Sequence, residues 1–379
     1  MIMPLLGPCR CAYATLLTRA SYLPGVLTLA HTLRKHTGYP LLVLTTPLPD
    51  DLKSILEREA ALNPTIQIVP IEPLHPPSTP ENGNGKSAAS RFADTWTKLR
   101  VFELVSYDRV VFLDADVVVF HTIDALFNVN LPSSSWIAAT PACICNLDLD
   151  SWAPEEWKPE GCAYTLASTN SIVETGDGSL GKLDPPPLNS GVFLFHPSEE
   201  LKQSVMKTFA ESDKLAEYPC PDQDFMAYEV FRGKWMPLNW AFNALKTMRY
   251  WHGNLWHSEK GDQEVRVLHY IVDKPWQKRI ASDGIAGYLG RDGETHSWWW
   301  TIWSEWSNQR IESEEGKALI ADVESLNVVA KELDEASDKK QVEDNKEHKL
   351  PVEVATRNGM SDKAKDVAIA TNDALGFSR

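Results

Sequence analysis

The run Val110-Val111-Phe112-Leu113-Asp114-Ala115-Asp116-Val117-Val118-Val119-Phe120 constrains the fold of this chain more than any other segment. Apart from its two carboxylates, it is as apolar and β-branched as a strand buried on both faces. Such strands belong to largely parallel sheets, and open α/β sheets collect ligands beyond the carboxyl ends of their strands. Successive strand residues point to opposite faces, so Asp114 and Asp116 are expected to share a side. The small Ala115 leaves the backbone between them approachable. Carboxylates beside a core are paired or hold a metal. Hard oxygen ligands suit Mg²⁺ or Mn²⁺ carrying a diphosphate. The plainer alternative is a strand end whose two carboxylates cap the next turn.

The segments around this run alternate. Cys11 to Leu17 and Leu41 to Thr45 read as strands, with a helix from Pro24 to His36 between them and a further strand at Gln67 to Ile71. That β-α-β order predicts a doubly wound, mostly parallel sheet with helices on both faces. Residues 76–90 read as a Pro, Ser, Asn and Gly-rich loop, and Ala93 to Leu104 as a helix leading into the acidic run. Residues 133–187 read as one long irregular insertion, a length that marks a functional loop. Strand character returns at Asn189 to Phe195 and Val265 to Ile271, with a helix at Gln223 to Phe231. Beyond residue 311 Glu, Asp, Lys and Ser dominate. There Ile320, Val323, Leu326 and Val329 mark at most one amphipathic helix in a tail otherwise expected to be disordered. The expected organisation is a catalytic domain at 1–310 and a charged tail at 311–379, dispensable for chemistry.

A formal net charge of -15 argues against a nucleic-acid or anionic-membrane binder. No stretch has the length of a membrane-spanning helix, and the opening residues are too short and proline-broken for a signal peptide, so a cytoplasmic protein is expected. Fourteen Trp suit either stacking on sugar rings or a heavy core. The six cysteines read as reduced thiols. The alternative for Cys143, Cys145, Cys162 and Cys220 is a structural Zn²⁺ held by four thiolates, although the Cys143-x-Cys145 spacing is tight for a zinc knuckle.

Five segments form one pattern: Thr97-Lys98-Leu99-Arg100, Leu113-Asp114-Ala115-Asp116, Asn189-Ser190-Gly191, Cys220-Pro221-Asp222-Gln223-Asp224-Phe225, and Leu268-His269-Tyr270 followed by Lys274-Pro275-Trp276. In this order and spacing the chain resembles glycosyltransferase family 8, the family of glycogenin and galactinol synthase, and the galactinol synthase-like group in particular. The resemblance covers roughly Cys11 to Trp276. It implies a GT-A fold with a single Rossmann-like nucleotide-binding domain, a UDP-sugar donor, Mn²⁺ (or Mg²⁺), and retaining transfer of glucose or galactose to a polyol, sugar or glycan hydroxyl. A homodimer is compatible with it.

By the same resemblance, Asp114, Asp116 and His269 are the metal ligands, and Lys98 and Lys274 meet the diphosphate and sugar. Ala14, Thr15, Leu16 and Thr18 lie where the family holds uracil and ribose, with Tyr22 stacking on the base. Ala115, Asn189, Ser190 and Gly191 line the donor site, while Asp222 and Gln223 sit beneath the anomeric carbon. Taken alone, His269 reads as a structural histidine, Lys98 as a solvated helix residue and Tyr22 as a packing tyrosine. Tyr250 falls roughly where glycogenin carries its self-glucosylated tyrosine, so self-glucosylation is a second reading. A catalytically dead sugar-nucleotide scaffold would show a damaged metal triad, and none is damaged. A nucleotidyltransferase would carry a Gly-rich loop after the first strand, where Tyr13 to Arg19 has no glycine.

Overall fold

The computed structural model describes residues 9–77, 95–150, 153–166, 181–256 and 261–326. A seven-stranded sheet runs through it in the order β3-β2-β1-β4-β7-β6-β8. Its strands are β1 (Cys11–Leu17), β2 (Leu41–Thr45), β3 (Ile66–Pro70), β4 (Arg109–Leu113), β6 (Ile137–Pro141), β7 (Leu188–Phe195) and β8 (Trp235–Pro237). Strands β1 to β4 pair in parallel, whereas β7 runs antiparallel to both β4 and β6. A second sheet joins β5 (Val117–Val119), β10 (Val267–His269) and β9 (Ala244–Leu245), with β10 in the middle.

The period of two along the strands sorts side chains to two separate cores. Tyr13, Leu41, Val43, Val111, Leu113 and Leu194 face one, and Ala12, Ala14, Leu42, Val110, Phe112 and Phe193 face the other. The first core is covered by α1 (Leu23–Leu33), α2 (Asp50–Leu62) and the helix Gly293–Arg310. The second is covered by the 3₁₀ stretch Thr95–Glu103 and the helices Glu199–Glu211 and Pro221–Phe225. Helices therefore lie on both faces, as the alternation requires.

The apolar run Val110–Phe120 is not one strand. It breaks at the carboxylates into β4 and β5, which belong to different sheets. Asp114 and Asp116 therefore converge across a turn and not by strand alternation. Hydrophobic periodicity cannot register such a break, because both flanks are equally buried. The residues 133–187 likewise contain β6, paired on both sides, within what reads as irregular sequence. The expected helix 223–231 is an α-helical turn, Pro221–Phe225, continued by a π-helical turn, Met226–Val230. Of the Pro-rich loop 76–90, only residues 76 and 77 are among those described.

Tryptophans on the helix Gly293–Arg310 build core. Trp299 stacks on Trp303 with ring centroids 5.3 Å apart, Trp303 meets Trp306 at 4.7 Å, and Trp276 meets Trp299 at 5.5 Å. The Trp306 indole donates to Glu59, whose carboxylate also takes the Arg310 guanidinium in a buried ion pair. A further helix occupies 314–326 and buries Leu319 and Val323 completely against this core. The packed body thus runs past residue 310, and Val329 lies outside the described residues.

Candidate active site

Strands β1 and β4 are adjacent and parallel, with Ala14 level with Phe112, so both end at the same sheet edge. Asp114 leaves β4 there, its backbone N–H donating to the Gly191 carbonyl at 2.8 Å. Asp116 enters β5, and its carbonyl accepts from the Tyr270 N–H at 2.9 Å. His269 arrives from β10 with Nε2 at 3.2 Å from Asp116 Oδ1 and 3.9 Å from Asp114 Oδ2. One oxygen from each carboxylate and one imidazole nitrogen lie within 4.8 Å of one another.

A hydrogen-bond chain fixes which histidine nitrogen faces the carboxylates. The Gly191 N–H is an unambiguous donor and binds Asn189 Oδ1 at 3.0 Å. The same oxygen accepts from Asn243 Nδ2 at 2.7 Å, and Asn243 Nδ2 also reaches Thr140 Oγ1 at 2.9 Å. Asn243 Oδ1 must then face His269 Nδ1, 3.0 Å away, and accept its proton. The Nε2 lone pair is left toward the carboxylates, the tautomer a metal ligand needs. Asn243 carries no sequence signal of its own, and only the folded chain gives it this role.

Two lysines flank the cluster. Lys98 Nζ bridges Asp114 Oδ1 at 2.9 Å and Asp222 Oδ2 at 2.6 Å, and also lies 3.3 Å from Ser190 Oγ. Ser190 in turn donates to Asp222 at 2.8 Å. Lys274 pairs with Asp116, donates to the Tyr270 carbonyl at 2.9 Å, and sits 6.0 Å from the Tyr22 ring centre. Burial disfavours both ammonium charges. Asp114 and Asp222 outweigh it at Lys98, as Asp116 does at Lys274, so both pKa values lie above the ordinary lysine value. Burial also pushes the Asp114 carboxyl up, against the pull of Lys98. Three carboxylates against two ammonium groups leave the cluster electron-rich, which suits a divalent cation and explains why the charged residues tolerate burial.

Asn189 Nδ2 donates to Gln223 Oε1 at 3.1 Å, tying Gln223 and the neighbouring Asp222 to β7. Asp224, one residue further on, accepts from the Cys220 N–H at 2.8 Å. Burial pushes its carboxyl up to about 7 against that bond. Ala14 and Thr15 are fully buried within β1, while Leu16 near its end and Thr18 beyond it are half-buried. The Thr15 hydroxyl has no hydrogen-bond partner among the described residues. Tyr22 packs edge-on against Trp276 at 6.0 Å, and the Trp276 indole donates to the Ser21 carbonyl, joining this loop to the Lys274 segment.

Two glycines beside the acidic cluster are sterically required. A Cβ on Gly25 of α1 would lie 2.2 Å from the Ala115 carbonyl oxygen, so the helix packs directly on the acidic turn. A Cβ on Gly191 would lie 2.3 Å from His269 Cε1. Gly25 escapes sequence reading because a lone helical glycine does not announce what it touches.

The sequence profile described as Glycosyl transferase family 8 matches residues 14–279. The chain belongs to glycosyltransferase family 8. Within that family it falls with the galactinol synthases. Galactinol synthase 6 of Arabidopsis thaliana is 32% identical, the match covering 70% of this chain and 73% of that protein. Galactinol synthase 2 of Solanum lycopersicum is 30% identical, covering 70% and 72%. Among solved structures, the glycosyltransferase GlyE in Streptococcus pneumoniae aligns over 79% of this chain and 64% of that one, at 18% identity and a TM-score of 0.48. The mixed sheet with its acidic turn after β4 is the GT-A arrangement, and this family 8 member is a glycosyltransferase. No described helix is long and apolar enough to cross a membrane.

The sequence-level alternatives can be placed as well. Tyr250 lies under the Arg291 guanidinium, 5.4 Å from its ring centre, with its hydroxyl buried. The four-thiolate set is not formed. Cys143, Cys145 and Cys162 converge on His252, while Cys220 sits at the start of the helix Pro221–Phe225. All six cysteines are free of disulfides.

Proposed function

We propose that this protein is a retaining, Mn²⁺-dependent hexosyltransferase that moves glucose or galactose from a UDP-sugar to a hydroxyl of a small polyol or sugar. The observation that carries this reading is the convergence of Asp114, Asp116 and His269 between Lys98 and Lys274. Two carboxylate oxygens and an imidazole nitrogen with a bare lone pair fit Mn²⁺ better than Mg²⁺, which prefers oxygen throughout. Bound there, the cation supplies charge to the diphosphate as it departs.

The chain's own residues do the rest. Lys98 and Lys274 are buried, charged and already oriented by carboxylates, so they offer positive charge to the leaving group with little reorganisation. Asn189, held by Gly191 and Asn243, positions Gln223 to present its amide to donor hydroxyls. Asp222 is committed to Lys98 and Ser190, which makes it a poor nucleophile and favours same-face substitution over double displacement. In same-face substitution the departing phosphate takes the acceptor proton. The Thr15 hydroxyl of β1, without a partner among the described residues, supports donor binding there, with Tyr22 beside the base. The buried Tyr250 hydroxyl favours an external acceptor over self-glucosylation.

The test is UDP release by the purified chain with Mn²⁺ and either UDP-glucose or UDP-galactose, with and without myo-inositol. Inositol-stimulated release supports the reading for a polyol acceptor. Sugar appearing on the protein itself would establish the self-glucosylating alternative, and no release from either donor would refute a UDP-hexose enzyme.

A further inference from the structure

The cluster of Cys143, Cys145, Cys162 and His252 takes no part in the chemistry above. From its geometry we propose that it is a structural Zn²⁺ site of the Cys₃His type, separate from the acidic cluster. Three sulfurs surround one nitrogen: His252 Nε2 lies 3.2 Å from Cys143 Sγ, 3.4 Å from Cys145 Sγ and 3.9 Å from Cys162 Sγ. All four atoms lie within 4.8 Å of one another. Tetrahedral bonds of about 2.3 Å to sulfur and about 2.0 Å to nitrogen place S and N roughly 3.5 Å apart, and two sulfurs roughly 3.8 Å apart.

Hydrogen bonds to the imidazole do not account for three sulfurs around one nitrogen. A neutral imidazole nitrogen has one lone pair and accepts one S–H, and of the three sulfurs Cys145 Sγ also meets Thr165 Oγ1 at 3.4 Å. Soft thiolates with an imidazole in a tetrahedral set select Zn²⁺ among the common divalent ions.

The surroundings are those of a structural site. Cys145, Cys162 and His252 are buried and Cys143 is half-buried, so four protein ligands would close the coordination sphere. The ligands come from three distant segments that regular structure barely holds. Cys143 and Cys145 follow β6, Cys162 precedes the turn Ala163–Leu166, and His252 lies between the turns Met248–Trp251 and Gly253–Trp256. The His252 backbone is anchored on both sides, its N–H on the Met248 carbonyl and its carbonyl on the Leu255 and Trp256 N–H groups. Its ring packs against Tyr164, whose hydroxyl donates to the Pro141 carbonyl at 2.6 Å. The metal would thus staple the long β6–β7 connection to the segment after β9. In that segment the Lys246 N–H holds the His269 carbonyl at 3.0 Å.

The test is metal analysis of the full chain, purified without added metal and again after incubation with Zn²⁺ and dialysis. The expected result is one tightly held zinc per chain, retained in the double variant Asp114→Asn, Asp116→Asn and lost in Cys162→Ser and in His252→Ala. The unsubstituted protein provides a second measurement should those variants not fold. Replacing zinc by Co²⁺ should give the sulfur-to-metal charge-transfer band of a thiolate site, and chelation should lower the melting temperature and expose three more reactive thiols. No zinc after reconstitution would overturn the proposal. So would zinc lost with the aspartate pair but kept in the cysteine variants, or a disulfide between any two of the three cysteines.

Discussion

Asp116 is the residue on which the site turns, since it faces His269 and Lys274 together. Asp116→Asn keeps the shape but removes the charge. Donor turnover should fall by roughly 10²–10³-fold or more, the scale of losing one preorganised charge-stabilising group. Circular dichroism should still report a folded chain, and full activity in this variant would falsify the metal assignment. Asp224 makes a different prediction. Its carboxyl ordinarily titrates at 3.8 and is pushed up to about 7 in the fold, so the folded chain binds that proton more tightly than the unfolded one. Stability is therefore lost as pH rises between those values, and the cost is complete above about 7. Asp224→Asn keeps an acceptor for the Cys220 N–H without the charge. It should raise stability to urea by about 2–4 kcal/mol at pH 8 and by almost nothing near pH 4. An equal effect at both pH values would mean that Asp224 is not the titrating group.

Elements were legible in the sequence where packing repeats along the chain and illegible where it does not. The strands β1, β2 and β7 fall where alternation and apolar runs place them, because each is buried along its length. The short strands β8 and β9 carry too few residues for a period to show. The split of the acidic run is hidden because valines lie on both sides of it. The motif residues Lys98, Asp114, Asp116, Ser190, Asp222, His269 and Lys274 do come together, and Tyr22 lies beside Lys274, whereas Ala14 and Thr15 are buried within β1. Asn243 and His252 acquire partners only through chain segments far from them in sequence. Gly25 tests the packing of α1 on the acidic turn. Gly25→Ala must displace the Ala115 carbonyl or tilt the helix, at a cost of about 1–3 kcal/mol in stability. Because that carbonyl lies between the two aspartates, cation affinity measured by calorimetry should fall as well. Unchanged affinity would show that the turn shifts as a rigid unit.

Across the whole molecule, the charged C-terminal region is less separate than its composition suggests. Polar residues dominate it, yet Leu319 and Val323 fill the core beside the tryptophan stack, and Asp322 pairs with Arg58 of α2. Leu319→Ala should destabilise the chain by about 2–5 kcal/mol in denaturant unfolding. Deleting residues 312–379 should lower the melting temperature, even if the transfer reaction survives at low temperature. An unchanged melting temperature would show that the helix 314–326 is an appendage. The acidic turn has a wider consequence. Its carboxylates stand where the chain passes from the large sheet to the small one, and His269 belongs to the small sheet alone. A cation shared by these three side chains would act as a rivet between the two sheets, beside the hydrogen bonds by which Asn243 already ties His269 to Asn189 of β7 and Thr140 of β6. Its binding free energy would then count toward holding the sheets together, so the melting temperature should climb with the logarithm of free cation concentration. Hydrogen exchange should slow at Leu268 and Tyr270 in step with it. The enzyme's rigidity would then follow its metal supply before any sugar is transferred.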